Sequence, residues 1–145
     1  MIAAAKPGQP HQPAFRKKMI LIVDDDETVA SFFNMLLKED GYHTMVVHSG
    51  QDALTKLKAK APQKIDLLIL DLMMPAPGGY EILKRLQDGD HQEVPVFVVT
   101  ARDLDPGTVA QFKLESNLKG VWKKPIDQDE FKKQVQEVTG AAQRN

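Results

Sequence analysis

The sequence predicts an α/β domain in which helices cover both faces of a parallel sheet. Three observations predict it: short apolar runs alternate with segments of helical periodicity, residues 20–23 are continuously apolar, and 145 residues suffice to bury one sizeable core. Continuous apolar strands are typical of parallel sheets that are buried on both faces. Strands that alternate with helices predict right-handed crossovers. We therefore expect five strand–helix units in one domain.

The first two units have clear helix boundaries. A strand over residues 20–23 precedes a helix whose apolar residues recur at helical spacing and which Gly41 ends. Its apolar residues are Val29, Phe32, Phe33, Leu36 and Leu37. In the second unit, a strand over residues 43–47 leads to Ser49, three residues before Asp52, and this spacing is a capping box. We expect the helix that follows to bury Ala53, Leu54 and Leu57.

The third unit combines a strand over residues 65–70 with a helix that Gly89 ends. The buried positions of this helix are Ile82, Leu83 and Leu86. The fourth strand covers residues 94–99, with Pro95 near its start, where a missing N–H donor is tolerable. The middle of the chain therefore adds two more buried strands to the predicted sheet.

The fourth helix and the fifth unit follow. Asp105 and Pro106 open a weaker helix. Its apolar positions are Val109 and Phe112. A short strand is expected over residues 120–123, and Asp127 with Glu130 then caps the last helix. This helix carries Phe131, Val135 and Val138.

Composition excludes several classes of function. The chain has no cysteine, which excludes a disulfide scaffold, a thiolate metal site and a cysteine nucleophile, and which fits a reducing compartment. The longest apolar runs, residues 19–23 and 67–70, are far shorter than the ~20 residues that span a bilayer. No basic region precedes the short apolar start of the chain, so a secretory signal is not expected. The sequence predicts a soluble, cytoplasmic protein without membrane insertion.

The net charge of −1 hides an asymmetry. Four of the 19 basic residues lie in the first 18 positions, so the remaining 127 carry 15 basic and 20 acidic side chains. The four are Lys6, Arg16, Lys17 and Lys18. An acidic body repels a phosphate backbone, so we expect no nucleic-acid binding by the folded part. Residues 1–18 are rich in proline and poor in apolar side chains, which predicts a disordered tail.

Polar side chains follow the strands at one edge of the predicted sheet. Residues 24–26 are three aspartates after the first strand, Asp71 follows the third, Thr100 the fourth, and Lys124 the fifth. Strand ends of a parallel sheet share one edge, where such folds bind ligands. Clustered carboxylates repel one another and call for a cation, and oxygen-only ligands favour Mg²⁺. With a lysine and a hydroxyl opposite the metal, the set indicates phosphoryl transfer.

Each of these residues also has a simpler explanation. Three aspartates before a helix are at least as often a solvated turn and N-cap, and Asp71 closing an apolar strand could be a turn residue. Thr100 is compatible with ordinary strand chemistry, and Lys124 with an exposed surface. Their joint position at the strand ends favours the phosphoryl-transfer interpretation.

Five motifs occur in an order that resembles the receiver domains of two-component response regulators. They are LIVDDD at residues 21–26, DLLILDLMMP at 66–75, GYE at 79–81, TA at 100–101 and KP at 124–125. The resemblance covers residues 19–139, which leaves 140–145 as a C-terminal tail. It implies the flavodoxin-like strand order 2-1-3-4-5. If the chain is complete, we expect a single-domain regulator, because no effector module follows.

The resemblance also implies a role for each site residue. Asp71 would be the phosphoacceptor and, with Asp25 and the backbone carbonyl of Met73, would bind Mg²⁺ directly. Asp24 would act through a metal-bound water molecule. Thr100 would donate a hydrogen bond to the phosphoryl group, and the positive charge of Lys124 would pair with it. The peptide bond between Lys124 and Pro125 would be cis.

The implied function is that of a signalling switch that catalyses only its own phosphorylation and dephosphorylation. The phosphoryl donor would be a sensor histidine kinase or a phosphotransfer protein. Phosphorylation would draw Thr100 inward and reshape the face of helix four, strand five and helix five. A downstream protein, or a second copy of the chain, would bind that face.

Two features depart from the usual receiver pattern. Receivers usually carry an aromatic residue three positions before the lysine, where this chain has Val121, and Trp122 lies on the opposite face of the strand. The stretch from Thr100 to Lys124 is also slightly longer than usual. Arg102 and Met73 occupy positions that tune dephosphorylation in the family.

Two other functions remain as alternatives. In a haloacid-dehalogenase-type phosphatase, Asp24 would be the nucleophile and Asp26 the acid and base, but the chain lacks room for a cap and Asp71 would have no role. A receiver-like interaction module that is never phosphorylated is disfavoured because all the active-site positions are filled. The four histidines share no metal-ligand spacing and are expected to be exposed: His11, His43, His48 and His91.

Overall fold

The computed structural model describes residues 17–58, 64–88, 93–114 and 117–140. In these ranges five strands alternate strictly with five helices. In chain order they are β1 (Met19–Val23), α1 (Glu27–Glu39), β2 (His43–Val47), α2 (Gly50–Lys58), β3 (Leu67–Asp71), α3 (Gly79–Asp88), β4 (Val96–Thr100), α4 (Pro106–Lys113), β5 (Leu118–Lys123) and α5 (Gln128–Thr139). The five predicted strand–helix units are therefore confirmed.

The strands form one parallel sheet in the order β2-β1-β3-β4-β5, which confirms the flavodoxin-like topology. Neighbouring residues of each buried strand point to opposite faces, so Leu21 and Ile22 belong to different core clusters. Helices α2, α3 and α4 pack on the face of Leu21, while α1 and α5 pack on the face of Ile22. Continuous apolar strands are thus explained by burial on both faces.

Some element boundaries differ from the sequence-based expectation. Strand β3 begins two residues later than predicted, at Leu67, and β4 begins at Val96, after Pro95. Strand β5 begins two residues earlier, at Leu118, because its pairing with β4 skips Lys119 and leaves a bulge there. The predicted helix stop at Gly89, the tail over residues 1–16 and the segment 141–145 lie outside the described residues.

Polar caps fix the helix starts on the side of the sheet where the strands end, which we call the carboxyl edge. Asp26, Asp105 and Asp127 each accept hydrogen bonds from backbone N–H groups in the first turn of α1, α4 and α5. Ser49 does the same for α2, accepting from the N–H of Asp52 at 3.1 Å. These contacts place four helix N-termini at this edge.

The opposite side of the sheet, the amino edge, holds both ends of the described chain. The buried carboxylate of Asp66 accepts a 2.8 Å hydrogen bond from the N–H of Met19, at the start of β1. The Thr139 hydroxyl, at the end of α5, lies 3.4 Å from the hydroxyl of Tyr42, which directly precedes β2. Burial raises the pKa of the Tyr42 hydroxyl. Helix α5 therefore ends beside the start of β2, at the amino edge.

Within the described part of the chain, none of the helices has the length and apolar character needed to cross a bilayer.

Candidate functional site

The first carboxylate of the site, Asp24, directly follows β1 and is only 2% exposed. Its backbone N–H donates to the carbonyl of Val47 at 3.2 Å, which ties the end of β1 to the end of β2. Its Oδ1 accepts a 2.9 Å hydrogen bond from the N–H of Asp26, and Asp26 caps α1. The turn over residues 24–26 is therefore held by backbone contacts, and it leaves Asp25 exposed to solvent.

Asp71 is the last residue of β3, the central strand, and is 6% exposed. Its Oδ1 accepts a 3.1 Å hydrogen bond from the N–H of Met73. Helix α3 starts close behind, since a Cβ atom added to Gly79 would lie 2.6 Å from the carbonyl oxygen of Asp71. A glycine is needed at this position because any side chain would collide with backbone.

Carboxylate oxygens of Asp24, Asp25 and Asp71 all lie within 4.8 Å of one another. Burial raises the pKa of Asp71 to about 6; the hydrogen bond from Met73 opposes this shift, repulsion from Asp24 adds to it, and attraction to Lys124 opposes it. A site with three converging carboxylates disfavours its own charge until a cation neutralises it. This all-oxygen donor set suits Mg²⁺, a hard cation that prefers carboxylate and water ligands.

Lys124 supplies positive charge to the same site. Its Nζ lies 3.1 Å from Oδ2 of Asp24 and 3.9 Å from Oδ1 of Asp71, and its peptide bond to Pro125 is cis, as the resemblance implied. The backbone N–H of Lys124 donates to the carbonyl of Thr100 at 2.8 Å. The lysine is thus positioned by β4 on its backbone side and by the two buried carboxylates on its side-chain side.

Thr100 closes β4 and is 1% exposed. Its Oγ1 accepts a 3.2 Å hydrogen bond from the N–H of Arg102. That contact uses a lone pair of the oxygen, so the hydroxyl hydrogen stays available to an acceptor at the site. Arg102 and Met73, the two positions expected to tune dephosphorylation, are both exposed.

Val121 and Trp122 lie on opposite faces of β5. Val121 lines a groove of about 540 Å³ with Val109 of α4. The ring of Trp122 packs on the other face, with its centroid 5.7 Å from that of Phe97 and 5.0 Å from that of Phe131. The position of the usual aromatic residue is therefore occupied by a valine, while the tryptophan belongs to the core beneath α5.

His48, for which the sequence pattern predicts no role, lies next to the site. The residue is exposed, as expected, but its Nδ1 lies 3.1 Å from the carbonyl oxygen of Asp24. Its position directly after β2, next to the end of β1, was the only signal in the sequence. His43 is exposed at the other end of β2, while His11 and His91 lie outside the described residues.

Comparison with known sequences finds a family and several relatives. The family model of the response regulator receiver domain matches residues 20–136. The chain is 37% identical over 101 residues to the uncharacterized transcriptional regulatory protein YkoG of Bacillus subtilis, covering 70% of this chain and 42% of that protein. It is 43% identical over 83 residues to the transcriptional regulatory protein CpxR of Escherichia coli strain K12, covering 57% and 33%. The chain thus spans less than half the length of these curated relatives.

Solved structures with the same fold include a receiver domain and a chemotaxis protein. One is the receiver domain of Francisella response regulator 1452, with 27% identity and a TM-score of 0.75, covering 86% of this chain and 98% of the other. The second is the Vibrio cholerae chemotaxis protein CheY4, with 25% identity and a TM-score of 0.74, covering 85% and 99%. Both therefore align with most of this chain and with nearly all of their own.

Proposed function

Because the chain belongs to the family of response regulator receiver domains, we propose that it is a switch that accepts a phosphoryl group on Asp71. One observation carries the proposal: Asp71 ends the central strand with two further carboxylates and the ammonium group of Lys124 around it. A carboxylate nucleophile beside a fixed positive charge suits the formation of an acyl phosphate. The family match by itself makes the chain a response regulator receiver domain.

In the proposed reaction, a carboxylate oxygen of Asp71 attacks the phosphorus of a phosphohistidine. The new O–P bond forms as the P–N bond breaks, and the bonding electron pair leaves with the imidazole. Lys124 neutralises charge on the transferred group from its position between Asp24 and Asp71. The Thr100 hydroxyl donates a hydrogen bond to a phosphoryl oxygen while its own oxygen keeps the contact with Arg102.

We assign the cation site to Asp24, Asp25, Asp71 and the backbone carbonyl of Met73, with Mg²⁺ as the ion. The convergence of three carboxylates supports this assignment. When bound, Mg²⁺ supplies positive charge to the transferred phosphoryl group. Cation binding would also relieve the repulsion from Asp24 that helps to raise the pKa of Asp71, and it would so favour the proton-free carboxylate that a metal ligand requires.

The proposed donor is a sensor histidine kinase or a phosphotransfer protein. An apolar groove of about 470 Å³ runs beside Lys124, lined by Val29, Phe32 and Ile126 among others, and it offers such a donor a surface next to Asp71. A donor that obtains its phosphoryl group from ATP would act in the cytoplasm, which is the location expected from the sequence. We take residues 19–139 as the receiver domain and the face of α4, β5 and α5 as the output surface for a protein partner or a second copy.

The phosphatase alternative fits the contacts less well. It needs Asp24 as the nucleophile, yet both oxygens of that carboxylate already have partners, the N–H of Asp26 and the ammonium group of Lys124. The phosphatase alternative also gives Asp71 no role, although this residue lies at the centre of the site. The alternative of a module that is never phosphorylated makes a simple prediction, the absence of any labelling.

Mass spectrometry after incubation with Mg²⁺ and acetyl phosphate tests the proposal. We expect one phosphoryl group on Asp71, none in Asp71→Asn, and normal labelling in Asp103→Asn, which changes an exposed aspartate. Labelling that survives in Asp71→Asn but is lost in Asp24→Asn would support the phosphatase. No labelling of the wild type, with acetyl phosphate or with a phosphorylated kinase, would support the unphosphorylated module.

A further inference from the structure

We propose that His48 is a positioning residue for the cation site, because its ring N–H holds the backbone carbonyl that precedes Asp25. The inference rests on the proposed function and deepens it. It adds to the site a residue that neither contacts the phosphoryl group nor binds the ion. Its role is to fix the turn that carries Asp25.

The contact between His48 and Asp24 has a defined direction. Nδ1 of His48 lies 3.1 Å from the carbonyl oxygen of Asp24, and a carbonyl oxygen only accepts, so Nδ1 carries the hydrogen. The backbone on both sides of His48 is anchored. The carbonyl of Val47 accepts from the N–H of Asp24, and the hydroxyl of Ser49 caps α2. The imidazole therefore extends from a fixed segment.

The held carbonyl determines where Asp25 lies. The carbonyl group of Asp24 and the nitrogen and Cα of Asp25 belong to one planar peptide unit, so fixing the oxygen also fixes the start of Asp25. Together with the N–H bond to Val47, the contact with His48 means that β2 and its extension hold both backbone polar groups of Asp24. The exposed side chain of Asp25 then projects toward Asp24 and Asp71 from a constrained backbone.

The expected loss of Mg²⁺ affinity can be compared with that of other residues that hold a metal ligand in place without binding the metal. Losing a group that orients a metal ligand typically lowers metal affinity about 10–100-fold. Here the acceptor is a carbonyl at a partly exposed position, where water replaces part of the lost contact. We therefore expect a loss of about 3–10-fold in Mg²⁺ affinity.

Two substitutions separate the hydrogen bond from the bulk of the ring. In His48→Asn, the amide nitrogen is separated from Cα by the same number of bonds as Nδ1, so a donor is retained. In His48→Leu, a side chain of moderate size remains but the donor is lost. His43→Leu is the matched control, because it removes an exposed histidine from the other end of the same strand.

The inference can be tested without any phosphoryl donor by titrating the full chain with Mg²⁺ at one fixed pH and measuring the binding by calorimetry. We expect His48→Leu to bind Mg²⁺ about 3–10-fold more weakly, and His48→Asn and His43→Leu to stay within about twofold of wild type. Thermal unfolding without metal should be nearly the same for all four proteins, because His48 is exposed.

Three outcomes would overturn the inference. If His48→Leu binds Mg²⁺ like wild type while Asp25→Ala does not bind it, His48 has no positioning role, yet the proposed function stands. If the asparagine variant is as weak as the leucine variant and both melt at a lower temperature, the effect is one of general stability. If the wild type binds no Mg²⁺, both this inference and the metal-dependent part of the proposed function are wrong.

Discussion

The carboxyl group of Asp71 connects the chemistry of the site to the folding stability of the protein. Burial first, and repulsion from Asp24 in addition, raise its pKa from 3.8 to about 6. An acid with a raised pKa in the folded state binds more protons when folded than when unfolded between those two values. The free energy of unfolding therefore falls as the pH rises from about 4 to about 6, and it stays lower above that range.

Replacing Asp71 by asparagine should therefore stabilise the metal-free protein at neutral pH. The rise of this pKa from 3.8 to about 6 corresponds to roughly 2–3 kcal/mol. Urea unfolding in the presence of a chelator should show Asp71→Asn more stable than wild type by about 2 kcal/mol at pH 7.5. The difference should shrink toward zero at pH 4, where Asp71 is protonated. A difference independent of pH would show that the charge of Asp71 is not its cause.

Single residues also mark the limit of inference from the sequence. Asp24, Asp25, Asp71, Thr100 and Lys124 were found because strand ends in a parallel sheet meet at one edge, so sequence position fixed their neighbourhood. The hydrogen bond of His48 was not predictable, because it depends on a ring direction across two neighbouring strands. The pKa of Asp71 depends on burial, and burial follows from tertiary packing.

At the scale of elements, the approach of α3 to β3 depends on one glycine. Gly79→Ala would place a Cβ atom 2.6 Å from the carbonyl oxygen of Asp71 and 2.7 Å from Cα of Leu72, so backbone must move. We expect a loss of about 2–4 kcal/mol in unfolding free energy. Gly107→Ala, in the first turn of α4, is the matched control, since its added atom would have only an ordinary contact at 3.6 Å. Equal effects of the two substitutions on chemical denaturation would contradict the close approach.

Helix α1 carries an apolar surface beside the site. Phe32 is 37% exposed and lines the groove next to Lys124, and Met35 is 61% exposed one turn further along. We expect Phe32→Ala to slow phosphotransfer from a phosphorylated histidine kinase about 10-fold, because exposed aromatic residues often anchor protein interfaces. Labelling by acetyl phosphate, which needs no docking surface, should be unchanged.

Leu114→Ala provides the control for that experiment, since Leu114 is 83% exposed at the end of α4. Its substitution should leave both phosphoryl donors unaffected. A Phe32→Ala variant that is slow with acetyl phosphate as well would mean that the substitution disturbs the site itself and not a docking surface.

Element types were more predictable than element ends. Apolar periodicity, helped by caps such as Ser49, Asp105 and Asp127, identified all five helices, because these signals are local. The early start of β5 was missed because its bulge at Lys119 arises from pairing with β4. Pairing between strands distant in sequence leaves no local pattern to recognise.

At the scale of the whole molecule, the sheet separates two cores, and β5 contributes to both. Val121 faces the groove beside α4, and Trp122 packs against Phe131 of α5. A signal that leaves the site through Thr100 toward α4 therefore has no aromatic side chain at Val121 to carry it. We expect movement of the β4–α4 loop and α4 to transmit phosphorylation instead.

Hydrogen exchange measured with and without beryllium fluoride, a phosphoryl mimic, tests this expectation. Exchange should change within residues 101–122 when the mimic binds at Asp71. Val121→Ala should alter phosphorylation-dependent association only modestly, by about twofold, because it removes a small part of an already open groove. Changes confined to another surface would mean that the output face lies elsewhere.

The amino edge of the sheet is a suitable place to attach the protein to a surface. Met19 is anchored there by Asp66, and Thr139 lies there beside Tyr42, so residues 17 and 140 both leave the fold on the side away from Asp71. Strands of five residues separate the two sides by roughly 17 Å. A linker attached at either residue would tether the protein to a sensor chip or a bead with the carboxyl edge of the sheet, where Asp71 lies, turned toward the solution. Tethering through either end should therefore be equally suitable for following the arrival of a donor on immobilised molecules.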